Sequence, residues 1–64
     1  MLKLELYVDG EEREDLVEKI DMASMYELLQ NPYSFNTLTI KNTEYFIDEI
    51  VVSSGKLILK LTIN

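Results

Sequence analysis

The chain of 64 residues contains neither cysteine nor histidine, and these two absences exclude much chemistry. Without cysteine it forms no disulfide and offers no thiolate to zinc. Without histidine it lacks the commonest general base and the usual imidazole ligand of transition metals. It also contains no Gly-rich phosphate loop and no serine elbow motif. The sequence therefore predicts no catalytic residue, no metal site and no cofactor, and it indicates that the protein is not an enzyme.

Basic residues are scarce as well: six Lys and Arg stand against twelve Asp and Glu, a net charge of −6. This charge disfavours direct binding to DNA, RNA or anionic lipid, all of which select basic surfaces. The N-terminal residues lack the features of a signal peptide, and no run approaches the roughly 20 apolar residues of a membrane span. We expect a cytoplasmic protein with no direct nucleic-acid or membrane contact. A basic protein partner would fit the charge.

The short length predicts one domain, residues 1–64. A core of this size rarely supplies more than ~3–5 kcal/mol of stability. Small domains usually gain more from disulfides, a structural metal or a second subunit, and the first two are excluded by composition. The sequence therefore favours a homo-oligomer or a partner-bound protein.

Apolar residues alternate with polar ones in four segments, and this period of two predicts strands with one buried face. The segments are residues 2–8, from Leu2 to Val8, then 37–41, 45–52 and 57–63. The alternation falters at Asp48-Glu49, which predicts a β-bulge or an exposed edge. Phe46, rather than Tyr45, has the parity of the buried face in this interpretation.

Between the first two strands, residues 11–30 carry apolar side chains at helical spacing. Asp9-Gly10 also fits a tight hairpin turn. The acidic residues that follow are poor strand formers and good helix openers, so we predict a helix from Glu11. Its two apolar stripes point in different directions, which predicts a kink or break around residues 21–24, and Ser24 fits the start of a second helix near Met25.

The order β-α-β-β-β predicts an α+β fold, a two-layer sandwich with a mostly antiparallel four-stranded sheet. A kinked or broken helix covers one face of this sheet. The last three strands form a meander, because their connections are too short for crossovers. The pattern does not indicate which strand pairs with the first one.

The candidate partner-binding residues are acidic side chains of the predicted helix and two tyrosines: Glu11, Glu14, Asp15, Glu18, Tyr7 and Tyr45. The acids are either a solvated helix face, with Asp15 paired to Lys19, or a docking surface for a basic partner. Spacings of ~5–6 Å along a helix also loosely resemble successive phosphates. Both tyrosines lie off the apolar parity of their strands, so we expect them on the open face of the sheet.

These observations favour a small acidic protein–protein interaction module, an accessory or inhibitory protein of the kind that compact genomes such as those of phages encode. Two alternatives stay open. One is a nucleic-acid mimic that blocks a DNA- or RNA-binding protein through the acidic helix. The other is a structural module that assembles into homo-oligomers through its sheet.

Overall fold

The computed structural model describes residues 3–63, and in them the chain forms five strands and two α-helices. The elements are β1 (Lys3–Val8), β2 (Glu11–Glu12), α1 (Glu14–Val17), α2 (Met22–Gln30), β3 (Thr37–Ile40), β4 (Thr43–Ser53) and β5 (Lys56–Ile63), with a 3-10 helix at Pro32–Ser34 before β3. Leu2, which the alternation places in the first strand, lies outside the described residues. The predicted α+β class is confirmed.

All five strands belong to one sheet with the order β2-β1-β5-β4-β3. β1 is parallel to β5, and the other three pairings are antiparallel. The mostly antiparallel sheet is thus confirmed, and so is the meander of β3, β4 and β5. The prediction of four strands is wrong, because the short β2 adds a fifth. The first strand lies in the interior of the sheet, between β2 and β5.

The extra strand arises because Asp9-Gly10 makes the hairpin turn that the sequence interpretation rejected. Asp9 (φ 51°) and Gly10 (φ 86°) both have positive φ, the geometry that suits a two-residue hairpin loop. Glu11 and Glu12 then pair with Val8 and Tyr7. Both glutamates remain exposed at the sheet edge, so their poor strand propensity costs little there. The helical segment consequently begins at Glu14 instead of Glu11.

The helical segment is broken, as predicted, but the break comes earlier than expected. α1 ends at Val17 and α2 begins at Met22, so the interruption covers residues 18–21. Asp21 is the N-cap of α2, in an extended conformation. The Ser24 hydroxyl, and with it the Ser24 backbone amide, lowers the pKa of the Asp21 carboxyl. The second helix therefore begins at Met22, after the Asp21 carboxylate, rather than near Met25 as predicted.

One apolar cluster forms the core, and it draws on one face of the sheet and on both helices. Its buried members are Leu4, Leu6, Val8, Leu16, Leu28, Leu38, Ile40, Tyr45, Leu57, Leu59 and Leu61. The strand members alternate along β1, β3 and β5, and the pairings bring them side by side. Leu16 and Leu28 join the cluster from α1 and α2. The two-layer arrangement itself remains a prediction.

The predicted bulge is present in β4, where Asp48 is the extra residue. Ile47 lies opposite Leu61 and Glu49 lies opposite Lys60, so the register shifts between them. The shift inverts the alternation on the N-terminal side of the bulge relative to the C-terminal side. The predicted parity of this half is therefore wrong: Tyr45 is 6% exposed and in the core, whereas Phe46 is 45% exposed.

Candidate functional site

The acidic residues of the 11–18 segment are exposed, but they do not share one helix face. Glu11 and Glu12 belong to β2 and lie opposite Val8 and Tyr7, so their side chains point to opposite faces of the sheet. α1 contains four residues only, about one turn. The regular carboxylate spacing expected of a long acidic helix is therefore absent.

Asp15 is neutralised locally by Arg13 rather than by Lys19. The Arg13 guanidinium donates from Nε to Asp15 Oδ1 at 3.0 Å and from Nη2 to Oδ2 at 2.9 Å, a bidentate pair. These hydrogen bonds lower the pKa of the Asp15 carboxyl, and the charge of Lys19 adds only the weakest contribution. The same contact raises the pKa of Arg13. Asp15 therefore presents less uncompensated charge than its neighbours.

Beside this pair lies a concavity of about 240 Å³, which we call the acidic groove. It is lined by four carboxylate residues together with Leu4, Val17 and Lys3; the four are Glu5, Glu12, Glu14 and Glu18. Glu14 and Glu18 are four positions apart at α1, so they are neighbours on its surface. The hairpin turn brings Glu12 to β1, whose own residue Glu5 completes the set.

Three of the four groove carboxylates have no ion-pair partner among residues 3–63. These are Glu12, Glu14 and Glu18, whereas Glu5 binds Lys56 (Oε2 to Nζ, 3.2 Å). Leu4 and Val17 supply an apolar floor between the acids. Such a site suits a lysine or arginine side chain, whose stem covers apolar surface while its charged end meets carboxylates.

The two candidate tyrosines lie on opposite faces of the sheet. Tyr7 is half-buried and lies between Glu12 on β2 and Lys60 on β5, on the face away from the core. Tyr45 faces the core opposite Ile63. The expectation that both decorate the open face is wrong for Tyr45, and any effect of this side chain on a partner is indirect. The bulge explains the error, because it is what turns Tyr45 inward.

A second concavity of about 450 Å³ extends from Tyr7 across the sheet to the bulge. Its wall includes Asp48, Glu49 and Lys60. Lys60 Nζ lies 3.0 Å from Glu49 Oε1, and Thr62 Oγ1 donates to Asp48 Oδ1 at 3.5 Å. Glu49 in this wall thus has a cationic partner, whereas Asp48 has only the long contact to Thr62.

The structure therefore unites Glu14 and Glu18 in one groove and leaves Glu11 and Asp15 outside its lining. Sequence reasoning missed Glu5 and Glu12. The Asp9-Gly10 turn signal was sufficient to find Glu12, because a two-residue hairpin places it opposite Tyr7. Glu5 carried no comparable signal, since its neighbours depend on the unpredicted parallel pairing of β1 with β5.

Within residues 3–63, no three or more acidic side chains cluster in a way that would hold a metal ion. No helix in the same range has the length and apolar composition needed to cross a bilayer. Comparison of the chain with protein-family models, curated proteins and solved structures gave no match.

Proposed function

We propose that this protein is a small, non-catalytic protein–protein interaction module, an accessory or inhibitory protein whose acidic groove binds a basic segment of a partner. The observation that carries the proposal is the convergence of Glu12, Glu14 and Glu18, none with an ion-pair partner in the described residues, around the apolar floor of one groove. All three carboxylates are exposed, so water solvates them in the free protein, and a cationic side chain that enters the groove can form charge-assisted hydrogen bonds with the ones it reaches.

The whole-chain charge supports the same partner class. A net charge of −6 attracts a basic protein over distances of about a Debye length, ~8 Å at physiological salt, and accelerates encounter. Like-charged competitors are repelled by the same field. The groove then orients one basic side chain within the encounter complex.

The proposal includes the two-layer arrangement, with α1 and α2 covering one face of the sheet. Its support is that Leu16 and Leu28 belong to the same buried cluster as Leu57 and Leu59. On the other face, Ile58 and Val51 are half-buried and lie directly opposite each other. In this arrangement the acidic groove lies at the sheet edge, where β1, β2 and α1 meet.

The test compares the wild type with the variant Glu12→Gln/Glu14→Gln/Glu18→Gln as bait in a lysate of the source organism. Captured proteins are identified and quantified by mass spectrometry. We expect at least one basic protein to be captured by the wild type and lost with the variant. The purified pair then gives the dissociation constant, which should rise as the groove loses its charge.

The matched control removes the same charge elsewhere, with Asp9→Asn/Glu11→Gln/Glu27→Gln. All three control residues are exposed and outside the groove lining. The control should capture the same partner as the wild type. Equal capture by all three baits, or equal loss with both variants, would contradict a specific role of the groove.

The nucleic-acid mimic is less well supported, because the long acidic helix on which it depended is absent. Excess competing DNA tests it in the same experiment: a mimic's partner is displaced by DNA, whereas a partner held elsewhere is not. Light scattering on the purified protein tests the homo-oligomeric alternative.

A further inference from the structure

The outer edge of β4 lacks a partner strand over its C-terminal half. β4 has 11 residues, but β3 pairs only with its first part, from Thr43 to Phe46. One further bond, from the Ile47 amide to the Asn36 carbonyl at 3.0 Å, ends the contact on this side. Among the described strands none pairs with the outer side of residues 49–53, which we call the β4 edge.

The backbone groups that this edge offers follow from the register of the β4–β5 hairpin. Ser53 and Lys56 flank a two-residue turn, so they form a hydrogen-bonded pair. Hydrogen-bonded and non-hydrogen-bonded pairs alternate along an antiparallel ladder. Val51 therefore directs its amide and carbonyl to β5, whereas Ile50 and Val52 direct theirs outward.

Beyond Glu49, the side chains of the β4 edge do not protect it. Sheet edges are commonly blunted by charge, proline or bulges. Residues 50–53 contain no charge and no proline, and Val52 is 53% exposed. The bulge at Asp48 limits pairing at one end only. The edge is thus an open template for one short strand.

A third concavity, of about 400 Å³, lies at the bulged end of this edge. Tyr33, Phe35 and Ile50 give it aromatic and aliphatic walls, and Asp48 and Glu49 are its charged residues. Glu49 is engaged by Lys60, so the exposed Asp48 is the carboxylate left with only a weak contact to Thr62. The site combines backbone groups, a side-chain pocket and a negative charge, the combination that strand addition uses.

We propose that the β4 edge binds an extended segment of a partner protein, which adds a strand to the sheet beside Ile50 and Val52. The segment places an apolar side chain against Tyr33 and Phe35, and a lysine or arginine beside Asp48. This surface is separate from the acidic groove: the two concavities share no residue.

A second copy of the chain is the weaker occupant. A stable dimer buries about 800 Å² on each subunit, about a fifth of the 4354 Å² accessible surface, and a strand of four residues supplies much less. Each copy also carries a charge of −6, so self-pairing brings two like-charged chains together. A basic segment removes this repulsion.

The experiment selects displayed random peptides of about eight residues on the immobilised full chain. The selection is repeated on Val52→Pro, which removes the outward amide while leaving the ladder to β5 intact. Val52→Thr, which keeps the amide, is the matched control. We expect peptides that alternate apolar residues and carry a lysine or arginine. Their affinity should fall about tenfold or more with Val52→Pro and change little with Val52→Thr, a tenfold loss being about 1.4 kcal/mol.

Two further measurements locate the bound peptide. In NMR spectra, the selected peptide should shift the amide signals of Ile50 and Val52 and slow the hydrogen exchange of these two amides. The Val51 amide should change less, because it is already hydrogen-bonded to β5. Asp48→Lys should weaken basic peptides and leave the melting temperature of the protein close to that of the wild type.

Several results would overturn the proposal: selection of no peptide, equal binding to folded Val52→Pro, or shifts confined to other strands. A dimer in light scattering whose interface protects these same amides would replace the partner segment by a second copy. Loss of the lysate partner in the glutamine variant bears only on the acidic groove, so the two proposals fail independently.

Discussion

Deletion of Asp48 is expected to leave the fold intact, although a deletion inside a strand normally moves every following side chain to the other face. Ile47 pairs with Leu61 and Glu49 pairs with Lys60, and these two partners are consecutive on β5. Without Asp48, Ile47 and Glu49 become consecutive on β4 as well. No side chain changes face, and the ladder becomes regular.

The energetic change should be small because Asp48 is exposed and has one long contact. Thr62 Oγ1 donates to its carboxylate at 3.5 Å, a weak interaction in solvent. We expect the free energy of unfolding to change by less than about 1 kcal/mol. A domain with only ~3–5 kcal/mol available tolerates such a change.

Deletion of Val51 is the matched control, because it removes one residue of the same strand away from the bulge. With the turn at residues 54–55 fixed, Ile50 moves opposite Ile58 and Glu49 moves opposite Leu59, which is fully buried. Ile50 is partly buried, so losing its burial costs less than the ~1.5–3 kcal/mol of a fully buried isoleucine. An unpaired carboxylate facing the core costs several kcal/mol more. This deletion should therefore unfold the protein.

Urea denaturation followed by far-UV circular dichroism measures both variants. The Asp48 deletion should show a cooperative transition close to that of the wild type, and the Val51 deletion should show none. If both deletions unfolded the protein, or if the Asp48 deletion were the more damaging, the assignment of Asp48 as the extra residue would be refuted.

Three other predictions use the same protein. Leu59→Ala, at a fully buried position, should lower the free energy of unfolding by about 2–5 kcal/mol, which urea denaturation shows as a transition at much lower urea, or as none where the loss exceeds the stability of the wild type. Lys56→Met leaves the buried Glu5 without its partner and should cost about 1 kcal/mol, since Lys56 is half exposed, whereas Glu5→Met/Lys56→Met should recover the loss in the same assay. Arg13→Ala should raise the pKa of Asp15 to its ordinary range in an NMR titration, and an unchanged pKa would refute the pairing. Because the pKa of Asp15 is lower in the folded protein than in the unfolded chain, the Arg13–Asp15 pair stabilises the fold at pH values above the unfolded-state pKa. This stabilisation is lost as the pH falls through the folded-state pKa.

The C-terminal meander was predictable because local signals there agree with each other. Buried and more exposed side chains alternate in β5 from Leu57 to Leu61. The turns at residues 41–42 and 54–55 have positive φ at both central residues; Asn42 is the second central residue of the first turn and Gly55 that of the second turn. Each strand therefore finds its partner a few residues away. The bulge was also predictable, because Asp48-Glu49 is the one point where two charged residues interrupt an apolar strand.

The N-terminal part was less predictable because local signals compete there. At Asp9-Gly10, turn chemistry favours a hairpin and the following acids favour a helix, and the turn prevails. Tyr45 shows a different limit: its face depends on whether the bulge precedes or follows it, which periodicity alone does not determine.

Two of the four groove acids were predicted as candidate binding residues, but the groove itself was not. Glu14 and Glu18 were identified from a predicted helix of which only one turn, α1, forms at these residues. Their neighbour Glu5 comes from a strand whose position depends on a parallel pairing across most of the chain. Such long-range pairing leaves no periodic signal in the sequence.

The two outer edges of the sheet differ in how far charged side chains protect their unpaired backbone groups. On the β1 side, the short β2 carries Glu11 and Glu12, and charge at an edge discourages pairing with another chain. On the β4 side, Ile50 and Val52 have no such protection beyond the bulge. A partner held by charge at the first side is released by salt, whereas a strand held by backbone hydrogen bonds at the second is much less sensitive. If both proposals hold, salt therefore distinguishes the two contacts, although both proposed partners are basic.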